Sequence, residues 1–280
     1  MDGIEKKYAL LRESLSHFNS LAIAFSGGVD STLLLTVAHE VLGSHVVAIS
    51  CLAPMVPAAE AKATQHFCAE RGIKQLICYP DVLSVPEFRT NQTDRCYYCK
   101  KFLFNTMIQK AQEAGFPVIA DGTNVDDTKD YRPGMKALHE LNVVSPLLDA
   151  GFTKNDIRLL SRKLNLQTWN TQSNACLATR FPYNTELSVQ DLSRVDEAEA
   201  FLHQMGFEKV RVRVYQANNE CFARIEIDPT ILDNADQFVK LFGDGKRATI
   251  VHRLKALDFD QVTLDLQGFR SGSMNESIKG

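Results

Sequence analysis

Leu21–Phe25 runs directly into Ser26-Gly27-Gly28-Val29-Asp30-Ser31, and this junction constrains the chain more than any other stretch. Five apolar residues in a row read as a buried parallel strand. Gly27 and Gly28 allow a tight turn and a close approach of backbone to a ligand. From Thr32 to Leu42 the pattern is apolar and helical, with Ser26 or Asp30 placed to cap its start. A strand, a glycine turn and a helix N-terminus in succession aim backbone N–H groups and a positive dipole end at an anion, usually phosphate. No lysine follows the glycines, so this is not the Walker loop. A carboxylate at Asp30 would repel phosphate unless a Mg²⁺ stood between them. The plainer alternative is a capped Gly-Gly turn with no ligand.

Around this junction, strands alternate with helices. Ile4, Tyr8, Leu11 and Leu15 recur at helical spacing. Strands are expected at Val46–Ser50, Lys74–Cys78 and Pro117–Ala120. Helices are expected at Pro57–Arg71 and Tyr97–Ala114, stopped by Gly72 and Gly115. This order implies an α/β domain built on a parallel sheet covered on both faces. Ligands of such sheets sit at the carboxyl ends of the strands, where both Ser26–Ser31 and Asp121–Asn124 fall. Pro80–Asp94 reads as a loop, and Val125–Gly134 as a mobile, Asp-rich one. Thr153-x-x-Asp156 has the form of a capping box and opens a helix to about Leu164.

The pattern changes past Thr168. Thr168–Tyr183 shows no sustained period, and Ser188-x-x-Asp191 caps a helix closed by Gly206. Lys209–Tyr215 alternates strictly, with Val210, Val212 and Val214 on one face and Arg211, Arg213 and Tyr215 on the other. A turn at Asn218-Asn219 and renewed alternation over Cys221–Ile227 predict a hairpin. Helical stretches at Pro229–Leu241 and Lys246–Leu257 and a strand at Gln261–Leu266 complete a small α+β domain. The expected division is a nucleotide domain over 1–170, a linker over 171–187 that carries Cys176, and the small domain over 188–280. At 280 residues two cores are more natural than one. A net charge of −3 offers no overall attraction for nucleic acid. No apolar run reaches the length of a membrane span and no signal-peptide pattern opens the chain, so no membrane association and a cytoplasmic location are expected.

Seven cysteines in a reducing compartment are not a disulfide framework. Cys96 and Cys99 stand three apart at the start of a helix, where two thiols reach one metal and the helix end favours thiolate. This spacing alone serves zinc or a redox pair, or arises by coincidence. With Cys176, the set fits an iron–sulfur cluster with one open iron, or a zinc site completed by a His. Cys51, Cys68, Cys78 and Cys221 lie in apolar or regular segments and read as core residues.

Ser26–Ser31 resembles the SGGxDS PP-loop of ATP pyrophosphatases, the adenine nucleotide alpha-hydrolase-like fold. Together with Asp121–Asn124, Asp130–Gly134, Arg180–Tyr183, Arg211-Val212-Arg213 and Gly268–Gly272, it makes nearly the whole chain similar to the LarE family. The resemblance implies an ATP- and Mg²⁺-dependent sulfur transferase that adenylates a carboxylate of pyridinium-3,5-biscarboxylic acid mononucleotide. Sulfur delivery then gives a thiocarboxylate of the nickel-pincer nucleotide, the cofactor of lactate racemase. It implies ATP binding by Ala24, Ser26, Gly27, Gly28, Asp30, Ser31, Gly122, Lys101 and Lys154, with Mg²⁺ on Asp30. It implies substrate binding by Arg211, Arg213, Arg180 and Glu199, with Glu226 at a further acidic position, and a catalytic set of Cys176, Asp30 and Arg180. Members with cysteines at the places of Cys96, Cys99 and Cys176 hold a 4Fe–4S cluster that carries the sulfide. Others sacrifice the sulfur of the cysteine matching Cys176. A homo-oligomer is expected, with the small domain serving substrate binding and assembly; the sulfide donor is left open.

Two other classes compete. PP-loop tRNA thiolation enzymes share the loop and a similar cysteine cluster, but usually add zinc-binding cysteine sets and a basic RNA surface. Here there is no second CxxC and the net charge is negative. A non-catalytic adenine-nucleotide module explains the glycine turn but not three placed thiols. For Arg211 and Arg213 the alternative to phosphate binding is a solvated strand face.

Overall fold

The computed structural model describes residues 3–129, 133–171 and 175–270. Asp130, Tyr131, Arg132, Ser173, Asn174, Ser271 and Gly272, all within segments discussed above, lie outside them. The chain divides into two compact units, Met1–Phe88 with Asp94–Asn174, and Arg89–Thr93 with Ala175–Gly280.

In the first unit, strands β1 (Leu21–Ala24), β2 (Val46–Cys51), β3 (Gln75–Cys78) and β4 (Ile119–Ala120) form one parallel sheet in the order β3-β2-β1-β4. Leu21 lies opposite Val46, Ala22 opposite Ile119, and Cys51 opposite Cys78. Side chains alternate across the sheet. Leu21, Ile23, Val46 and Ala48 pack with helices α1 (Gly3–Ser16), α2 (Val29–Leu42) and α6 (Lys154–Lys163). On the other face Ala22, Val47 and Ile49 meet Phe104, Met107 and Ala111 of helix α4 (Arg95–Glu113) and Leu138 of α5 (Pro133–Glu140). With α3 (Ala58–Glu70), this is a three-layer α/β unit whose strands are apolar on both faces, as their near-continuous hydrophobic runs require.

The capping box at Thr153 forms as its spacing predicts: Thr153 Oγ1 accepts from Asp156 N (3.2 Å), and Thr153 N donates to Asp156 Oδ2 (2.9 Å). Elsewhere the local structure departs from expectation. Single-turn helices Pro86–Arg89 and Pro146–Asp149 and helix α5 all open on a proline. Val125–Thr128 is a 3₁₀ turn fastened by a second capping box between Asn124 and Asp127. Helix α2 is capped by Gly28 with no side-chain bond, so neither Ser26 nor Asp30 caps it.

The second unit contains strands β5 (Val210–Ala217), β6 (Glu220–Ile227) and β7 (Gln261–Leu264). β5 and β6 are antiparallel and β6 and β7 parallel. Asn218 and Asn219 take positive φ of 53° and 63°, as a two-residue type I′ turn demands. Helix α7 (Val189–Gln204) starts at Ser188, whose hydroxyl accepts from Asp191 N at 3.1 Å. The helical stretch expected over Pro229–Leu241 is broken: Pro229–Leu232 and α8 (Ala235–Phe242) carry separate caps at Asp228 and Asn234, and α9 (Lys246–Lys255) follows. The loop 181–187 is fixed by Arg89–Thr93. Asn91 Nδ2 donates to Phe181 O (3.2 Å) and Pro182 O (2.7 Å), and Leu187 N donates to Arg89 O (2.7 Å). No helix of the described residues is long and apolar enough to cross a membrane.

Candidate active site

The junction after β1 folds into a turn braced from within. Gly27 takes φ 78°, a left-handed conformation that disfavours any side chain. Gly28 takes φ −70°, and a Cβ there meets Ser26 Oγ only at an ordinary 3.5 Å. Neither strain nor crowding inside the protein therefore calls for glycine at 28. Ser31 Oγ donates to Gly28 O (3.1 Å) and lies 3.2 Å from Ser26 Oγ. Below the turn, Ser50 Oγ donates to Phe25 O (2.7 Å) and accepts from Gln75 Nε2 (2.9 Å), fixing the backbone where the strand ends.

β4 brings Asp121–Asn124 against this turn. A Cβ on Gly122 would lie 2.9 Å from Ser31 N, so the two segments touch only because residue 122 is glycine. Asp121, which is buried, accepts Thr123 Oγ1 (2.5 Å) and Ser145 Oγ (2.7 Å). Lys154 Nζ pairs with Asp30 Oδ2 at 2.5 Å, while Lys154 N donates to Asp126 Oδ2 at 2.7 Å. Burial raises the proton affinity of Asp30 above the ordinary carboxylate range, against the opposing pull of Lys154. Together these segments border a cleft of about 510 Å³ at the carboxyl ends of the strands. One wall is polar; the other is apolar, made by Ile49, Leu52, Leu103, Phe104 and Met107. An anion-seeking turn beside an apolar slot suits a nucleotide.

Ala24, Ser26, Asp30, Ser31, Gly122 and Lys154 line this cleft, and Gly27 and Gly28 lie in its turn. Lys101 does not line it: its ammonium holds Glu140 Oε2 (2.7 Å) and Tyr97 OH (3.1 Å). The cleft-lining lysine of α4 is Lys100, which sequence reading missed because two adjacent lysines carry no signal of which way each points. Cys51, read as a core thiol, also borders the cleft; burial and then Cys78 push its thiol up to about 12.

Cys96 and Cys99 occupy the first turns of α4, Cys96 exposed and Cys99 half-buried. Within either unit, among the described residues, no three His, Cys, Asp or Glu side chains are grouped as a metal site. Cys176, half-buried, precedes the 3₁₀ turn Leu177–Arg180 in the second unit. Two arginines fasten this turn: Arg180 donates to Ala175 O (2.9 Å), and Arg213 donates to Thr179 O (2.5 Å). Arg180 is held in turn by a bidentate pair with Glu199 (2.7 and 2.9 Å), and Glu199 also accepts Val212 N (2.9 Å). Arg213 pairs with Glu226 at 3.1 Å, which Arg224 shares at 3.1 Å. Arg211 lies over Phe269, 4.2 Å from the ring centre, and no described carboxylate bonds it.

Arg211 and Arg213 are thus buried, not on a solvated face. Burial, then Arg180 and Arg213, lower the proton affinity of Arg211 to about 10. Arg180, Arg211, Arg213 and Arg224 stand with Glu199, Glu226 and Asp265, an excess of one positive charge that an added anion would neutralise.

No family model matches the chain. It is 36% identical over 275 residues to an uncharacterized protein of Synechocystis sp., covering 98% of this chain and 99% of that one. An uncharacterized protein of Methanocaldococcus jannaschii is 30% identical over 251 residues, 90% of this chain and 91% of its own. The pyridinium-3,5-bisthiocarboxylic acid mononucleotide synthase of Lactiplantibacillus plantarum is 34% identical over 279 residues, 99% of this chain and 97% of the synthase. Likeness of that degree, end to end, makes this chain a member of the LarE family.

Proposed function

We propose that the protein is an ATP-dependent sulfur transferase that converts pyridinium-3,5-biscarboxylic acid mononucleotide to its thiocarboxylate for the nickel-pincer nucleotide. The observation that carries this reading is the end-to-end similarity to the L. plantarum synthase. The first unit is taken as a PP-loop ATP pyrophosphatase fold. Its support is the turn at the carboxyl end of β1 and the side-chain-free Gly28, which leaves room for phosphate. Mg²⁺ at Asp30 would neutralise the triphosphate and favour pyrophosphate as leaving group. A substrate carboxylate oxygen attacks the α-phosphorus and pyrophosphate departs. A sulfur nucleophile then adds to the acyl-adenylate and AMP departs, leaving a thiocarboxylate.

Arg211 and Arg213 hold the phosphate of the mononucleotide, while Arg180 and Glu199 fix the turn that carries Cys176. Cys96, Cys99 and Cys176 are the ligands of a 4Fe–4S cluster. What supports the first two is their spacing along one helix; Cys96 is exposed, and Cys99 and Cys176 are half-buried, as Cys51 and Cys221 also are. When bound, such a cluster supplies one iron free of cysteine for the sulfide.

The test is anaerobic incubation with the mononucleotide acid, ATP, Mg²⁺ and sulfide. Thiocarboxylate, AMP and pyrophosphate are expected, and Asp30→Ala should abolish all three without unfolding the protein. Undiminished turnover in Asp30→Ala, or AMP release driven by tRNA and not by the mononucleotide, would overturn the reading. The protein's intact mass should stay unchanged over repeated turnovers. Loss of one H₂S from Cys176 after a single turnover would replace the cluster with the sacrificial route.

A further inference from the structure

Cys51 ends β2 and Cys78 ends β3, and the register of the two strands sets them directly opposite each other. Residues paired in this way point to the same face of a sheet, and both thiols lie in the apolar layer beneath α4. Cys51 Sγ stands 4.0 Å from Leu103 O of that helix. The strand ends are also tied through the backbone, since Leu52 N donates to Cys78 O at 2.9 Å. Cys51 is half-buried and borders the cleft, whereas Cys78 is buried and lies outside its lining. Among the described residues, no other cysteine borders the cleft.

Neighbouring strands lie about 4.8 Å apart, inside the Cα separation of about 4.4–6.8 Å that a disulfide spans. The Cβ atoms of a disulfide stand only about 3.8 Å apart, so closing the bond draws the two strand ends together. A bond closed against such resistance is strained and readily reduced, the property of a reversible pair. Burial raises both thiols above the ordinary cysteine range, Cys51 to about 12. The pair therefore rests as a dithiol and reacts through a small thiolate fraction. The open side of the pair is Cys51, and the way to it is the cleft.

We propose that Cys51 and Cys78 are a reversible redox pair, closed to a disulfide by hydrogen peroxide that enters through the cleft and shielded when a nucleotide fills it. The shielding rests on reading the cleft as the nucleotide site. The Cys51 thiolate attacks one peroxide oxygen; the S–O bond forms, the O–O bond breaks, and the hydroxide released takes up the thiol proton as water. Cys78 then attacks the sulfur of the Cys51 sulfenic acid; the S–S bond forms, the S–O bond breaks, and the hydroxyl leaves with the Cys78 proton as a second water. Two thiols together lose two electrons, and one peroxide is reduced to two waters.

The test is treatment of the full-length protein with hydrogen peroxide, followed by peptide mass spectrometry without reduction. A peptide linked through Cys51 and Cys78 is expected, and dithiothreitol should remove the link. With Mg²⁺ and ATP at about ten times its Kd, linkage should slow about tenfold, because only the empty cleft admits the oxidant. In Cys78→Ala the Cys51 sulfenic acid should persist and take up dimedone, whereas Cys51→Ala should leave Cys78 unlabelled. Where Cys78→Ala lowers the melting temperature, Cys78→Val takes its place. Absence of the link, a link from Cys51 to another cysteine, or dimedone on Cys78 in Cys51→Ala would overturn the pair. Linkage at an equal rate with ATP bound would overturn entry through the cleft. If the link forms but the wild-type protein binds no ATP, the reading of the cleft fails and the pair stands, which separates the two failures.

Discussion

Asp30 is a carboxylate whose charge the fold resists and Lys154 defends. Its proton affinity is raised above the ordinary 3.8 because burial outweighs the ammonium beside it. The folded, metal-free protein therefore binds more protons at Asp30 than the unfolded chain does between 3.8 and the raised value, so this residue's contribution to stability falls as pH rises through that window. Removing Lys154 removes the largest opposing influence, widens the window and extends the loss to higher pH. In EDTA, Lys154→Met should fall further below wild type at pH 7 than near pH 4, because the raised proton affinity leaves Asp30 less charged at the lower pH. A gap of the same size at both pH values would show that Lys154 acts through packing alone. The same competition predicts that Mg²⁺-dependent turnover fails on the acid side above the pH at which a solvent-exposed aspartate would protonate.

At the scale of elements, β5 shows how alternation turns into a charged core. Val210, Val212 and Val214 fill one face as the pattern demands, while the opposite face buries Arg213 against Glu226 of β6 and Arg211 against Phe269, and Glu199 of α7 binds Val212 N and Arg180. Breaking a buried pair strands a charge, so Glu199→Ala should destabilise the second unit by about 3–5 kcal/mol in urea unfolding. Glu199→Gln, which can still accept from Val212 N, should cost less. Equal, small effects would mean that water already reaches Arg180. The period of β5 was legible in the sequence, but its covering was not, because Glu199 stands 13 residues from Val212 and Glu226 stands 13 residues from Arg213. The strand–turn–helix at Ser26 and the capping box at Thr153 were legible because each is a local arrangement. The short helices at Pro86, Pro133 and Pro146 were missed for a physical reason. Proline reads as a breaker within a helix, yet its fixed φ and missing N–H suit the first helical position. The direction of Lys100 was also illegible, since Gly134, which makes room for its stem, is remote in sequence.

For the whole molecule, the chain order and the units disagree. Arg89–Thr93 lies within the sequence of the first unit but belongs to the second, where Asn91 is buried with φ 51° and bonds Phe181 and Pro182. A fragment of residues 175–280 should therefore melt lower, and exchange the amides of 181–187 faster, than the same fragment with a tethered copy of 89–93. Equal protection in the two fragments would make the five-residue segment dispensable. On the ribosome the same feature becomes a delay. Asn91 emerges 90 residues ahead of Phe181, its first partner, which at ordinary translation speeds is roughly 5–18 s. Throughout that interval the segment is a held-open place in a domain not yet synthesised. The second unit can complete its fold only by drawing in a piece of chain made well before the rest of it.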